Sequence, residues 1–545
     1  MKINKLHAAK IFLAGILVLG LTLRLVYLRE WFHFEFDEEV IAWKLRQFII
    51  TGKPFLIGGG TPFGFHLGPA FYYLSAIPLF FSRLDPIGWG VAAAVFGTVS
   101  VWLMWFAGKT LYNQRIGLIA ALIWATSFTT VMTDRHWWPL VLDPMLSLLV
   151  ILCLYKICVI PAKAGIYLNR FRVKHGMTWI ALGLTLAFAW QADLTVLPLF
   201  LAAVVVAIRN WLSQKREVTI TVLILLVSVM PLVLFEFRHP GVNLGKLIQR
   251  SSLPVGGLDL YTLSFIPQSL SRLLFPISHP DGNLLKFYGW CKDIADIRVN
   301  SQPWWAGGMT LLILATPFLT LCHPEATKGG RRISTEFFLR RWRSQNDGCI
   351  PAADRILRIM ILSGVVGIFI FRLWGGNLYD FYLAVLYPVV LLLTARVVDF
   401  IWKKWGRIVT IAGLGIIVGL NLLIIIRAHH PQGLAIKRQA VAWVISNVKK
   451  EEFDLESISN CSRYNGVRFL FWLAGKEPQQ SFVDPELSWL YDKKGDYMKP
   501  KFLVTFTTPN DLTPDQKEKY NQLKLDAVNS EMFSPDLEVI ISAYD

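Results

Sequence analysis

The sequence predicts an all-α polytopic membrane protein of about 11 crossings and one re-entrant or juxtamembrane helix, with a small exterior α/β domain at its C-terminal end. Three observations predict it. Of 545 residues, 54% are hydrophobic and 17% charged, against roughly 25% charged in an ordinary soluble domain. The apolar residues cluster into runs near the ~20 that span a bilayer core. The last stretch of the chain, by contrast, has ordinary polarity.

The net charge of +17 could suggest nucleic acid, but its placement argues otherwise. Residues 429 to 545 hold 14 Lys and Arg against 17 Asp and Glu, a net of 14 − 17 = −3. The excess lies in the first 428 residues, much of it in short loops between apolar runs, and basic residues beside spans report topology. No nucleic-acid partner is expected. The six Cys are scattered without CxxC spacing, so neither a metal site nor a disulfide framework is suggested.

Apolar runs fall near 8–28, 67–82, 87–107, 116–132, 139–159, 177–192, 194–209, 217–236, 304–322, 356–373, 379–401 and 407–427. Lys2, Lys5 and Lys10 precede the first, and with no small-residue cleavage site after it, it reads as an uncleaved span. The most basic loops are placed in the cytoplasm: Lys156 to Lys174 with five Lys or Arg and no acid, Lys328 to Arg343 with six, and Lys403 to Arg407 with three. Working back from these puts Asp134 to Leu142 and Glu30 to His66 outside. Both hold only if 67–82 and 87–107 together make one net crossing. The run 67–82 is short and contains Pro69 and Pro78, hence the re-entrant or membrane-surface reading.

The expected domains are therefore a membrane domain, 1–428, with poorly ordered cytoplasmic insertions near 160–176 and 323–355, and an exterior α/β domain, 429–545. Within the latter, Leu434 to Val448 is helix-like, while Lys501 to Thr507 and Leu537 to Tyr544 are strand-like. The N-terminus is cytoplasmic and the chain multi-pass in the plasma membrane.

Chemistry can concentrate on the exterior loops. The first contains Phe34-Glu35-Phe36-Asp37-Glu38-Glu39 before an amphipathic helix, Val40 to Ile50. Three adjacent carboxylates at a membrane surface cost free energy unless solvated or used, although acids are also favoured at a helix N-terminus. Gly58-Gly59-Gly60 then leads through His66-Leu-Gly-Pro to Ala70-Phe-Tyr72-Tyr73-Leu74. An interfacial aromatic belt accounts for nearly all of this segment but leaves His66 idle.

The second loop reads Asp134-Arg135-His136-Trp137-Trp138 and continues to Leu142-Asp143-Pro144. It faces the same side, so acidic clusters and an Arg can converge on one cavity. Transfer of a group from an anionic lipid carrier needs a carboxylate to take the acceptor's proton and a cation for the departing phosphate. A surface pair of Asp134 with Arg135, with Asp143-Pro144 as a helix start, is the competing reading. Asp193 is a weaker candidate that can simply cap the following helix. Arg372, Asn377 and Tyr382 sit on the exterior edge of the last pair of spans, where an Arg can contact a lipid phosphate or snorkel.

In order and sidedness these segments resemble the GT-C superfamily of polyprenyl-phosphate-sugar-dependent glycosyltransferases. They are most similar to the bacterial branch of protein O-mannosyltransferase-like and lipid A aminoarabinose transferase-like enzymes. The resemblance runs through Asp37-Glu38, the His66-Leu-Gly-Pro-x-x-Tyr-Tyr-Leu segment, Gly108 to Leu122, Arg135 and Leu142-Asp143-Pro144. Near the far end Tyr382 precedes Pro388, but Phe381 stands where the family has Arg.

The resemblance implies that Asp37 is the general base of an inverting displacement, with Glu38 orienting it or binding acceptor and Asp143 positioning. His66, Arg135, Asp134, Tyr72, Arg372 and Tyr382 would then contact substrate. It implies a polyprenyl-phosphate-linked sugar as donor and a glycan, lipid or protein hydroxyl as acceptor, with membrane lipid around the chain and no cofactor or metal. The competing function is a transporter or flippase of lipid-linked sugars, using the same acids as a proton relay. No repeated halves of the kind transporters show are visible.

Overall fold

The computed structural model describes residues 2–32, 34–61, 63–163, 168–251, 260–276, 303–319, 351–374, 378–427, 433–458, 466–491 and 499–544. The expected helix at Leu434–Val448 and strands at Phe502–Thr507 and Leu537–Ala543 are present. Most of the insertion near 323–355 and the residue Asn377 lie outside the described residues.

Helices α1 (Lys2–Leu25), α2 (Leu28–Trp31), α3 (Phe36–Thr51), α4 (Ala70–Phe81), α5 (Ile87–Leu111), α6 (Gln114–Thr126), α7 (Phe128–Thr133), α8 (Asp143–Lys163), α9 (Leu168–Ala192), α10 (Leu197–Asn210) and α11 (Lys215–Arg238) follow in order. Helices Trp304–Ala315, Ala352–Leu373, Tyr387–Trp405 and Arg407–Arg427 complete the bundle. Seven are long and apolar enough to cross a membrane, and shorter apolar helices include α4, α6 and Trp304–Ala315. The protein is a multi-pass membrane protein.

Helix α4 has 12 residues and contains Pro78. At 1.5 Å per residue it is about 18 Å long, too short for a hydrocarbon core of ~30 Å. Of the basic segment 160–176, expected as an insertion, α8 runs to Lys163 and α9 starts at Leu168, and 164–167 lie outside the described residues.

The apolar run 116–132, expected as one helix, is broken at Ser127, whose ψ of 125° is extended. Lipid offers no partner for the freed backbone groups, so the protein must supply them. Asn421 Oδ1 accepts from Phe128 N at 2.8 Å, and Ser127 Oγ donates to Leu273 O at 2.8 Å. Asn421 is 1% exposed, which explains an Asn within an apolar helix.

The bundle has two distinct ends. At one, Tyr112 donates to Asp354 at 2.9 Å, Arg115 to Asp399 at 3.2 Å and Arg396 to Asp354 at 2.6 Å. At the other gather the loops around α3, residues 134–142, the ends of Ala352–Leu373 and Tyr387–Trp405, and the C-terminal α/β unit. That unit has a four-stranded sheet in the order β1-β2-β4-β3 (Phe453–Ile458, Phe502–Thr507, Leu537–Ala543, Ala527–Ser534), with β1 and β2 parallel and the other pairs antiparallel. Six of the seven residues of β4 are buried, so both its faces are covered, with Glu538 and Ser542 buried among its apolar residues.

Candidate active site

The site begins with α3. Its N-terminus is closed by a capping box in which Glu38 reaches back to the Glu35 backbone N–H. This satisfies orphan donors of the first turn and sets the direction of the next residues. A helix turns 100° per residue, so the three consecutive acids point three ways.

Asp37 is exposed, while Glu38 is 1% and Glu39 0% exposed. Glu38 Oε1 meets His136 Nε2 of the second loop, and its Oε2 accepts from Glu35 N at 3.0 Å. Both oxygens are thus engaged inside the protein, which suits an orienting residue and not an acceptor contact. Glu39 Oε1 accepts from Phe469 N of the C-terminal unit at 2.6 Å. Burial pushes the Glu39 carboxyl up to about 7, against the opposing pull of that hydrogen bond and of Arg468.

The C-terminal unit grips α3 from outside. Lys437 Nζ donates to Phe34 O at 2.6 Å and Leu434 N to Phe32 O at 3.0 Å. Trp43 packs on Phe469, Trp472 and Tyr491 at centroid separations of 5.1, 5.7 and 4.8 Å. Burial lowers the pKa of Lys437, partly offset by the charges of Glu35, Glu38 and Glu39. Gly466 shows why this fit is close: its φ is +65°, and a Cβ there would lie 2.6 Å from Phe34 O, a conformation and space open only to glycine.

On the other side of α3 lies the glycine loop. Gly58 N donates to Leu67 O at 2.8 Å, Leu67 N to Gly59 O at 3.0 Å and Thr61 N to Phe65 O at 2.8 Å. The loop therefore doubles back, bringing Tyr72 against it and into electrostatic reach of Asp37. His66 is held at its base: Asn243 Oδ1 accepts from His66 N at 2.9 Å and lies 3.3 Å from His66 Nδ1. Burial first, and then the charge of Lys44, lower the His66 pKa.

Lys44, which sequence reasoning passed over, stands beside these groups. Its ammonium donates to Gly58 O at 3.2 Å and lies 5.1 Å from the Tyr72 ring centroid and 5.6 Å from that of Trp489. Its register with Asp37, seven residues or two turns along one face, was a readable signal.

Two expected substrate contacts, Asp134 and Arg135, and the expected positioning residue Asp143 have partners inside the protein. Asp134 does not pair with Arg135: it forms a buried ion pair with Arg24 of α1 at 2.6 Å. Arg135 turns to the end of α1, donating through Nη2 to Leu23 O and Val26 O at 2.5 and 2.8 Å, and stacks over Trp31. It satisfies terminal carbonyls of a helix and is 2% exposed. Asp143 is fully buried and accepts from Thr195 Oγ1 at 2.5 Å, while Thr195 N donates to Asp193 at 2.8 Å. Asp193 thus caps the helix start, as expected of it, and Thr195 ties Asp143 to that cap.

Arg372 lies half-buried in the last turn of Ala352–Leu373. Its neighbour Phe371 meets Phe63 of the glycine loop at 5.4 Å and Tyr382 at 4.9 Å. From the other side His136 stacks on Trp138 at 4.4 Å, and Trp138 meets Phe381 at 4.7 Å. An aromatic wall therefore joins the Glu38–His136 pair to Tyr382. Asp380 pairs with Arg272 and accepts from Ser269 at 2.8 Å. Among the described residues, no group of three His, Cys, Asp or Glu is arranged to hold a metal ion.

No family model and no curated protein matches this sequence. Among solved structures, the chain is similar to the Archaeoglobus fulgidus oligosaccharyltransferase in complex with Zn and sulfate, at 12% identity and a TM-score of 0.48, covering 91% of this chain and 67% of that one. It is similar to the same archaeon's oligosaccharyltransferase AglB with an inhibitory peptide and a dolichol-phosphate, at 11% identity and a TM-score of 0.47, over 92% of this chain and 69% of that one. A third likeness is to ArnT from Cupriavidus metallidurans bound to undecaprenyl phosphate, at 14% identity and a TM-score of 0.43, over 97% of each chain.

Proposed function

We propose that this protein is a GT-C-type membrane glycosyltransferase that moves a sugar from a polyprenyl-phosphate donor to an acceptor hydroxyl at the exterior face of the membrane. The observation that carries the proposal is the division of labour within Asp37-Glu38-Glu39. The two later acids are buried and engaged in holding α3, while Asp37 is presented to solvent beside Tyr72 and the glycine loop. A carboxylate held by a capped helix, with its neighbours locked, suits a general base that takes a proton from a bound hydroxyl.

In this reading the acceptor oxygen attacks the anomeric carbon, its proton passes to Asp37, and the sugar–oxygen bond to the lipid phosphate breaks with its electron pair. The reaction inverts at that carbon. The lipid phosphate is itself an adequate leaving group, so no nucleotide is needed. Glu38 and His136 orient the base, and the exterior side is taken from the basic loops at the opposite end.

The test is turnover of polyprenyl-phosphate sugars by the purified protein in lipid, read as release of polyprenyl phosphate, with Asp37→Asn alongside. Removal of the base should lower release by on the order of 10²-fold or more. An Asn variant as active as the parent would remove Asp37 from the role. Absence of turnover with every donor would favour a transporter of lipid-linked sugars.

A further inference from the structure

Building on the glycosyltransferase reading, we infer that Lys44 is the cation that meets the departing phosphate of the lipid donor, on the same face of α3 as the base Asp37.

Among the described residues, several cations near the site are engaged elsewhere, and Arg372, at the aromatic wall, is the alternative to Lys44. Arg24 is paired with Asp134, and Arg135, 2% exposed, is buried against the carbonyls ending α1. Arg272 is paired with Asp380, and Lys437 is buried against Phe34 O. Arg46 lies over Trp43 and Trp472, on the side gripped by the C-terminal unit. His66 is biased to its neutral form by burial and by Lys44, so it can donate a hydrogen bond but not a lasting charge.

Lys44 is placed differently. It is half-buried, its ammonium lies over the rings of Tyr72 and Trp489, and its one hydrogen bond among the described residues goes to a neutral carbonyl, Gly58 O. Among the described residues no carboxylate is paired with it, so its charge stands in a partly desolvated setting, where a phosphate oxygen would be attracted more strongly than in water. Two aromatic faces stabilise a cation without neutralising it. Burial already pushes the ammonium down to about 8, and an anion would restore its ordinary range.

The spacing fits the chemistry. Residues 37 and 44 are two helical turns apart on one face, about 10 Å along the axis. In an inverting displacement the base and the leaving phosphate lie on opposite sides of the anomeric carbon. A hydrogen bond of about 3 Å at each end and an attack distance of about 3–3.5 Å give a span on the order of 10 Å. The acceptor O–H proton goes to Asp37, the new carbon–oxygen bond replaces the one to phosphate, and the electron pair left on the phosphate oxygen is stabilised by the Lys44 ammonium. Trp489 lies in the segment Ser488–Leu490 of the C-terminal unit and is 66% exposed; it makes that unit a wall of the same subsite.

The full-length protein in lipid would be tested for binding of a polyprenyl monophosphate and of the matching polyprenyl alcohol, as the parent chain, Lys44→Met and Lys44→Arg. Lys44→Met keeps the apolar stem and should weaken the monophosphate roughly 10- to 100-fold, the loss of a charged hydrogen bond, while leaving the alcohol unchanged. Lys44→Arg should recover most of the preference for phosphate. A purely packing role would weaken both lipids together and leave their ratio intact; that outcome, or an unchanged Lys44→Met, overturns the assignment of Lys44 alone. A parent chain that does not prefer the monophosphate overturns the donor reading and Lys44 with it.

Discussion

Three neighbouring carboxylates show how much a single residue's fate depends on what packs beside it. Asp37, Glu38 and Glu39 carry the same charge in sequence, yet only Asp37 is solvent-exposed. Glu39 has a measurable signature. Its carboxyl is raised from 4.5 to about 7 by burial, so between those values the folded protein retains a proton that the unfolded chain has lost. The stability contribution is therefore full below about 4.5, falls as pH rises to about 7, and is flat above, for a total of about 3 kcal/mol. Thermal melts in detergent at pH 5 and pH 7 should show the lower melting point at pH 7. Glu39→Gln, which preserves the acceptor for Phe469 N, should erase the difference; a difference of equal size in the variant would assign the pH dependence to another group.

The Arg24–Asp134 pair belongs to the same scale. Both partners are buried, and Gly97 of α5 leaves the room, since a Cβ there would lie 2.4 Å from the Asp134 carboxylate and 2.6 Å from Arg24 Nε. Asp134→Asn leaves a buried guanidinium without its charge partner and should cost about 3–5 kcal/mol. The double change Arg24→Met with Asp134→Leu should recover part of that loss in the same melts. If the single and double variants melt alike, the pair is not what holds α1 against the second loop.

At the scale of elements, the broken span α6–α7 and the short α4 are the departures from regular crossings. The break survives because Asn421 pairs with its C-terminal side, accepting from Phe128 N, and ties it to a neighbouring segment by donating to Leu274 O at 3.1 Å. Asn421→Leu fills the space but leaves a buried donor and acceptor unpaired, at about 1–3 kcal/mol each. Hydrogen exchange should report faster exchange at Phe128 with little change in α5. Uniform loosening of the bundle would mean that Asn421 serves general packing and not the break.

Across the whole molecule, the C-terminal unit is part of the site's construction. It reaches α3 through Lys437, Glu39 and the Trp43 cluster, and the loop at 85 through an ion pair of Arg438 with Asp85 at 2.5 Å. Trp43 and Phe469 meet edge to face at 82°, a geometry worth about 0.5–1.5 kcal/mol beyond area burial. Trp43→Ala and Phe469→Ala should therefore be non-additive in stability by about that amount. Each should also lower turnover, because the helix that carries Asp37 loses its outer support. Strict additivity would show the two rings to be independent neighbours.

The membrane class, the short α4, the C-terminal helix and two of its strands were legible in the sequence because each rests on a local quantity: an apolar run of a certain length, a Pro, a period. The nomination of the first acidic loop was equally local. Which acid stays exposed was decided only in three dimensions, since Glu38 and His136 are 98 residues apart and Glu39 and Phe469 430 apart. The same holds for Arg135, whose duty to the end of α1 has no mark in its own segment, and for strand β3, whose alternation is weak and which is held by its neighbour in the sheet, whereas β1 alternates over Phe453-Asp-Leu-Glu and was readable. Hydrophobic period determines which segments enter the bilayer, because burial of apolar surface and backbone pairing are properties of one segment. The partner of each buried charge was decided by tertiary structure, because a charge out of water is stabilised by whatever lies within a few ångströms, however distant along the chain.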